Sequence, residues 1–162
     1  MIAYREILKR TRPYQTVLND KKKDNLNHCY MVVSEDEIAC NNLTLMLAEL
    51  IVCDDNGCGE CPTCIRIEDN NYQELKILED YTKQGLVDFI NQADYCISEG
   101  KYKIMLIKNF ERIDRTQQNT LLKRLEEPAE NVIYILGVCR VANVLQTILS
   151  RSKKLYLEKF SE

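Results

Sequence analysis

Four of the eight cysteines fall within one short stretch, Cys53-Asp54-Asp55-Asn56-Gly57-Cys58-Gly59-Glu60-Cys61-Pro62-Thr63-Cys64, with the spacing C-x4-C-x2-C-x2-C. Tetrahedral zinc needs four soft ligands that converge on one point, and a C-x2-C turn presents two thiolates to the same ion. Gly57 and Gly59 let the backbone wrap around a metal, and Pro62 suits the first turn of a helix that carries Cys64. The spacing therefore favours zinc on Cys53, Cys58, Cys61 and Cys64 over reduced loop cysteines or a redox pair. Four thiolates leave no position for water or substrate, so such a zinc is structural. The function must lie elsewhere in the chain.

Two other stretches bear on phosphate chemistry. A phosphate-binding loop combines glycines with a lysine and a hydroxyl residue. The turn after the first apolar run reads Ser34-Glu35-Asp36-Glu37-Ile38-Ala39-Cys40-Asn41. It has no glycine; Cys40 stands in the lysine position and Asn41 in the serine or threonine position. Glu35, Asp36 and Glu37 would face a polyanion, and close like charges repel by about a kcal/mol or more each. A nucleotide hydrolase also places carboxylates at the end of its third strand. Here that position holds Lys108-Asn109, which supplies neither a magnesium ligand nor a base. The short basic run Lys21-Lys22-Lys23 reads as a solvated helix terminus, with nucleic-acid contact as the other reading.

The elements that must position these residues alternate between strand and helix. A helix is expected over 4–26, interrupted at Pro13. Tyr30-Met31-Val32-Val33 is a short buried strand, and Ala39, Leu43, Met46, Leu47 and Leu50 recur at helical spacing up to Val52. Ile65 to Asp69 ends a short helix. Leu75 to Leu78 is a second strand, followed by an amphipathic helix over 83–98 with Gly100 at its C-terminal cap. Ile104 to Ile107 is apolar on both faces, as in the middle of a parallel sheet. Thr116 is the expected N-cap of the next helix, whose inner side is Gln118, Leu121, Leu122 and Leu125 and which Pro128 stops. Val132 to Leu136 is a fourth strand. A short helix carries Val144, Leu145 and Ile148, and Lys154 to Leu157 is a fifth strand. This alternation implies an α/β fold with a parallel sheet, whose ligands sit beyond the carboxyl ends of the strands.

Composition narrows the class. A chain of 162 residues that is 45% hydrophobic is long and apolar enough for one folded domain and argues against disorder. The net charge of -3 argues against nucleic-acid binding by bulk charge. No apolar run approaches the roughly 20 residues of a membrane helix. The N-terminal Met1-Ile2-Ala3-Tyr4-Arg5-Glu6 lacks a signal-peptide core. A cytoplasmic, reducing setting is expected, in which Cys29, Cys40, Cys96 and Cys139 are small buried apolar residues.

One block specifies more. It contains Asn119-Thr120-Leu121-Leu122-Lys123-Arg124-Leu125-Glu126-Glu127-Pro128, continues through Val132-Ile133-Tyr134-Ile135-Leu136, and reaches Thr147-Ile148-Leu149-Ser150-Arg151-Ser152. These segments resemble the conserved helix and the serine-arginine motif of the clamp-loader branch of the AAA+ ATPases. His28-Cys29-Tyr30 and the cysteine loop resemble the entry to the first strand and the zinc module of its bacterial members, so the resemblance covers nearly the whole chain. It implies a three-layer AAA+ (P-loop-like) α/β domain, with a five-stranded parallel sheet, helices on both faces and a small zinc-binding insertion at about 53–68. Residues 1–162 would then be the first domain of a subunit, with lid and collar domains absent from this chain.

The ATPase subunits of that branch keep the glycine-lysine loop and the acidic pair. This chain lacks both and so resembles the non-hydrolysing delta-prime subunits of the bacterial DNA polymerase III clamp loader. By that resemblance Arg151 is an arginine finger offered to a neighbour's ATP, Cys53, Cys58, Cys61 and Cys64 are zinc ligands, and no ATP is bound by this chain. The implied partners are the gamma/tau ATPase subunits and the delta subunit, with the sliding clamp and primed DNA reached through the assembled complex and no membrane. The family pattern is departed from in three places: a shorter first cysteine loop, Ser152 in place of cysteine, and Val138-Cys139 where a polar sensor is usual. The residues themselves leave other readings open: an active ATPase, a zinc-containing module that binds nucleic acid or protein, thiol redox chemistry, or an Arg151 that only caps a turn or pairs with a carboxylate.

Overall fold

Aliphatic runs make the strands, and polar caps delimit the helices between them. The computed structural model describes residues 2–159. Its strands are β1 (Cys29–Val33), β2 (Leu75–Ile77), β3 (Lys103–Ile107), β4 (Val132–Val138) and β5 (Lys153–Tyr156). All pair in parallel, in the order β2-β3-β4-β1-β5. Met31 of β1 lies opposite Leu136 on one side and Lys154 on the other. Every residue of β3 and β4 is buried, as a strand covered on both faces requires.

The helices are α1 (Arg5–Lys9), α2 (Arg12–Lys22), α3 (Glu37–Val52), α4 (Pro62–Glu68), α5 (Lys83–Asn91), α6 (Arg115–Glu126) and α7 (Gln146–Arg151). Strand side chains alternate between two apolar cores. Tyr30, Val32, Ile104, Leu106, Ile133 and Ile135 meet α1, α2 and α3 on one face. Met31, Met105, Ile107, Tyr134 and Leu136 meet α5, α6 and α7 on the other. The result is a three-layer α/β domain in which the cysteine loop forms a small insertion between α3 and α4.

Several boundaries differ from the sequence expectation for identifiable reasons. Residues 4–26 are two helices, because Thr11 is an extended N-cap and Pro13 belongs to the first turn of α2. The helix expected over 83–98 ends at Asn91 and closes in a tight 92–94 turn. There the buried ammonium of Lys103 takes the carbonyls of Gln92 (2.8 Å) and Tyr95 (2.6 Å). Gly100 is therefore not that helix's cap; it turns the chain into β3 at φ +69°, where a Cβ would come within 2.7 Å of the Tyr72 hydroxyl. The N-cap of α6 is Asp114, not Thr116. Its carboxylate accepts from the Gln117 backbone (2.8 Å), while the Gln117 side chain accepts from the Asp114 backbone (3.0 Å); the reciprocal box outcompetes a lone threonine hydroxyl. Cys29 and Cys40 are buried as expected, but Cys96 and Cys139 are exposed, because both lie in connections after an element has ended.

Candidate metal centre and strand-end cleft

The last turn of α3 delivers Cys53, whose backbone N–H still bonds the Glu49 carbonyl (2.8 Å). The chain then doubles back through Gly57 at φ +74° and Gly59 at φ +79°, conformations that cost a side chain but not glycine. A Cβ on Gly59 would also lie 2.9 Å from the Arg5 guanidinium. Cys61 caps α4, with its sulfur accepting the Cys64 N–H (3.4 Å), and Pro62 opens that helix as the spacing predicts. The four sulfurs of Cys53, Cys58, Cys61 and Cys64 lie within 4.8 Å of one another. Cys53 Sγ is 3.9 Å from Cys58 Sγ and 3.6 Å from Cys61 Sγ. A tetrahedron with metal–sulfur bonds of about 2.3 Å has edges of about 3.8 Å, so the cluster fits a metal ion.

The loop is also built to hold thiolates. The Asp55 N–H points at Cys53 Sγ (3.3 Å) and the Cys61 N–H at Cys58 Sγ (3.3 Å). Burial opposes the Cys53 thiolate, but the backbone donors of Cys58, Asp55 and Gly57 outweigh it and bring that thiol down to about 7. Burial pushes the Cys64 thiol up; a divalent ion that displaces its proton removes that penalty.

Three side chains from the N-terminal hairpin support the loop, and sequence reading missed them. Arg5 reaches Glu49 of α3 (2.8 Å) and Glu68 of α4 (2.6 Å), tying the two helices that flank the insertion. The Tyr14 hydroxyl donates to the Asn56 carbonyl (3.1 Å). Lys21 donates to the carbonyls of Leu50 (2.7 Å) and Cys53 (2.6 Å). Lys21 is thus not part of a solvated terminus; it satisfies the open carbonyls at the end of α3, while Lys22 and Lys23 are exposed. A lysine that touches the metal loop in space, yet lies 32 residues away in sequence, carries no local signature.

The carboxyl ends of β1 and β4 meet at the crevice where strand order reverses. The Ser34 N–H continues the ladder to the Val138 carbonyl (3.0 Å). The Asp36 carboxylate accepts from Ala39 N–H (3.1 Å), so the N-terminus of α3 is capped by the protein's own anion. Cys40 is buried, and burial pushes its thiol up to about 12. Gly137 lets β4 approach the segment after β3, since a Cβ there would sit 2.6 Å from the Lys108 carbonyl and 3.4 Å from Cys40 Sγ. The Glu111 carboxylate accepts from the backbone N–H groups of Cys139 and Arg140, the latter at 3.1 Å. The protein's own carboxylates thus take the Ala39, Cys139 and Arg140 N–H groups at these strand ends.

Arg151 ends α7 in the opposite helical layer from the cysteines. It donates to the Thr147 carbonyl (3.0 Å) and pairs with Glu126 (3.3 Å), with its side chain about a third exposed. Ser152 packs inward: its hydroxyl bonds the Ile148 carbonyl (2.8 Å) and lies 3.3 Å from Cys29 Sγ.

A three-layer α/β domain with a 5-1-4-3-2 parallel sheet and a four-cysteine insertion after its first large helix defines an AAA+-like domain. The family model for DNA polymerase III, delta subunit, matches residues 9–161, and the chain belongs to that family of bacterial clamp-loader proteins. It is 28% identical over 155 residues to the DNA polymerase III subunit tau/gamma of Haemophilus influenzae, covering 91% of this chain and 22% of that protein. It is 26% identical over 163 residues to the DNA polymerase III subunit delta' of Bacillus subtilis, covering 89% of this chain and 46% of that one. Among solved structures, a DNA polymerase III gamma subunit-related protein from Thermotoga maritima shares the fold at TM-score 0.64 and 17% identity, covering 94% of this chain and 43% of that one. The Bacillus subtilis DNA clamp loader delta protein does so at TM-score 0.58 and 12% identity, covering 90% of this chain and 42% of that one. The chain thus spans less than half the length of these relatives. Among the described residues, no helix is long and apolar enough to cross a membrane.

Proposed function

We propose that this chain is the first domain of a delta-prime-type stator in the bacterial DNA polymerase III clamp loader. It binds no ATP itself, carries a structural zinc on Cys53, Cys58, Cys61 and Cys64, and supplies Arg151 to the ATP site of a neighbouring gamma/tau subunit. Its partners on this reading are those ATPase subunits and the delta subunit, and through the assembled loader the sliding clamp and primed DNA, all in the cytoplasm. Residues 1–162 correspond to the nucleotide-binding domain of the family, ahead of a lid and a collar.

The observation that carries the reading is the closed N-terminus of α3. An anion site at a helix N-terminus needs free N–H groups and benefits from a nearby lysine. Here Asp36 already occupies the Ala39 N–H, and Cys40 is buried with its thiol pushed up. A chain of this family with that closure contributes to hydrolysis through what it presents to a neighbour. Arg151 is suited to this because it is partly exposed and, among the described residues, held by the Glu126 carboxylate and the Thr147 carbonyl. A guanidinium spreads positive charge over several donors and can neutralise the transferring phosphoryl oxygens, an effect on the order of 10³–10⁵-fold in comparable systems. The zinc would act as a staple that fixes the loop between α3 and α4, with no open coordination position for chemistry.

The test is DNA- and clamp-stimulated ATP hydrolysis by a reconstituted loader that contains the full-length subunit as wild type, Arg151→Ala or Arg151→Lys. The expected result is a loss of at least tenfold in turnover at the neighbouring site for Arg151→Ala, with assembly intact and little rescue by lysine, whose point charge lacks the planar fork. Unchanged turnover would reduce Arg151 to a structural residue and sink the stator reading. Nucleotide binding by the isolated wild-type subunit at physiological ATP would sink the claim that this chain binds none.

A further inference from the structure

The cysteine loop presents an electrostatic problem that its own residues do not solve. Four thiolates around a divalent ion carry a net charge of about -2. The loop adds Asp54, Asp55 and Glu60, which are carboxylates too. Backbone donors from Asp55, Cys61 and Cys64 disperse part of that charge over the sulfurs. The nearest fixed cations come from the N-terminal hairpin, and they differ in how they are engaged. The Arg5 guanidinium is neutralised by Glu49 and Glu68. Lys21 has no such partner: among the described residues no carboxylate lies within ion-pair distance of its ammonium. Its two acceptors are the neutral carbonyls of Leu50 and Cys53. Burial pushes the Lys21 ammonium down, and the negative groups that oppose this are Cys53, Asp54 and Cys64.

We propose that Lys21 is the outer-sphere counter-charge of the four-cysteine centre, and that through it the bound metal holds α2 against the end of α3. The inference rests on the reading of the loop as a zinc site and adds a residue to it. Lys21 sits on the carbonyl of a ligand residue, so its position depends on the loop being closed around the ion. The loop in turn depends on α2 for neutralisation. Tyr14, two turns earlier on the same face of α2, fixes the same loop through the Asn56 carbonyl. Metal loss should then release α2 as well as the loop. A lysine that served only as a helix cap would couple to neither.

The experiment measures Zn²⁺ affinity of the full-length subunit by chelator competition for wild type, Lys21→Arg, Lys21→Gln and Lys21→Met. Co²⁺ substitution reports whether four-thiolate coordination survives, and circular dichroism checks the fold of each variant. Outer-shell partners of metal ligands typically tune affinity by roughly 10–100-fold. The expected result is a loss in that range for Lys21→Gln and Lys21→Met, and near wild-type affinity for Lys21→Arg. Hydrogen exchange over residues 12–22 should rise on zinc removal in the wild type, and added zinc should protect this segment less in Lys21→Met. If Lys21→Gln and Lys21→Met bind zinc as tightly as wild type, the lysine is only a cap and the inference fails while the zinc site stands. A wild-type subunit that takes up no zinc overturns the zinc reading itself, and this inference with it.

Discussion

Replacing Arg5 with methionine tests the support of the insertion most directly. The Glu49 side chain is fully buried, and its carboxylate receives two N–H groups from Arg5, at 2.8 and 3.4 Å. Arg5 also bonds Glu68 at 2.6 Å, but that pair is partly open to solvent. Removing one partner of a buried ion pair leaves an uncompensated charge and costs about 3–5 kcal/mol. Loss of the Glu68 pair adds about 1 kcal/mol at most. For a chain of this size each kcal/mol shifts Tm by about 2–4 °C, so Arg5→Met should lower Tm by roughly 6–24 °C in excess zinc.

The sign of the pH dependence follows from Glu49. Burial pushes its carboxyl up, and Arg5 is the main group holding it down. Without Arg5 the folded-state pKa rises further above the unfolded value. The folded state then binds the proton more tightly, so stability is gained as pH falls toward the folded pKa and lost as pH rises through it. The deficit of Arg5→Met should therefore be largest at pH 8 and smaller at pH 6. The double variant Arg5→Met, Glu49→Gln should recover much of the loss. Thermal denaturation at the two pH values is the assay. A Tm within 2 °C of wild type, or a deficit equal at both pH values, would refute the reasoning.

Two further outcomes test the cleft and the cysteines. Gly137→Ala should destabilise by about 1–3 kcal/mol in urea titration, because its Cβ would meet the Lys108 carbonyl at 2.6 Å and backbone cannot move aside cheaply; an unchanged midpoint would mean that β4 has room there. Thiol labelling at pH 8 should find Cys96 and Cys139 reactive in the zinc-loaded chain. Chelation should then expose the four loop cysteines, while Cys29 and Cys40, whose thiols burial pushes up to about 12, should react only on unfolding. Labelling of Cys53, Cys58, Cys61 or Cys64 at the same rate before and after chelation would argue against a bound metal.

What was legible in the sequence was what short-range pattern can encode. The apolar runs gave all five strands within a residue or two, and the cysteine spacing gave a cluster whose sulfurs do converge. The alternation of strand and helix pointed to the parallel sheet. Helix ends were read less well where a distant group decided them. Lys103 stops α5 from the next strand, and the Asp114 box starts α6 two residues ahead of the threonine that looked like a cap. The same blindness hid the support of the cysteine loop. Arg5, Tyr14 and Lys21 are spaced along two helices with no motif, and only packing on α3 brings them together. Exposure of Cys96 and Cys139 was misjudged because composition favours burial of a thiol whereas loop position decides it.

The geometry of α3 ties the proposed role to the fold. The helix runs 16 residues, about 24 Å, from the strand-end crevice to the cysteine loop. In a nucleotide-responsive protein, a helix end that gains or loses contacts with the ligand shifts an equilibrium, and only a difference in affinity can drive such a shift. Here protein groups cap both ends: Asp36 holds the Ala39 N–H at one, and Lys21 holds the Leu50 and Cys53 carbonyls at the other. On the proposed reading no nucleotide at the crevice makes that difference, and α3 acts as a strut. Arg151 has the opposite character. Its pair with Glu126 is exposed on both sides, and pairs of that kind contribute about 0–1 kcal/mol. On the proposed reading, releasing it toward a partner's phosphate would cost little. A stiff frame that carries one weakly held guanidinium is what a subunit needs if it is to wait unchanged for a neighbour's ATP and engage it without moving itself.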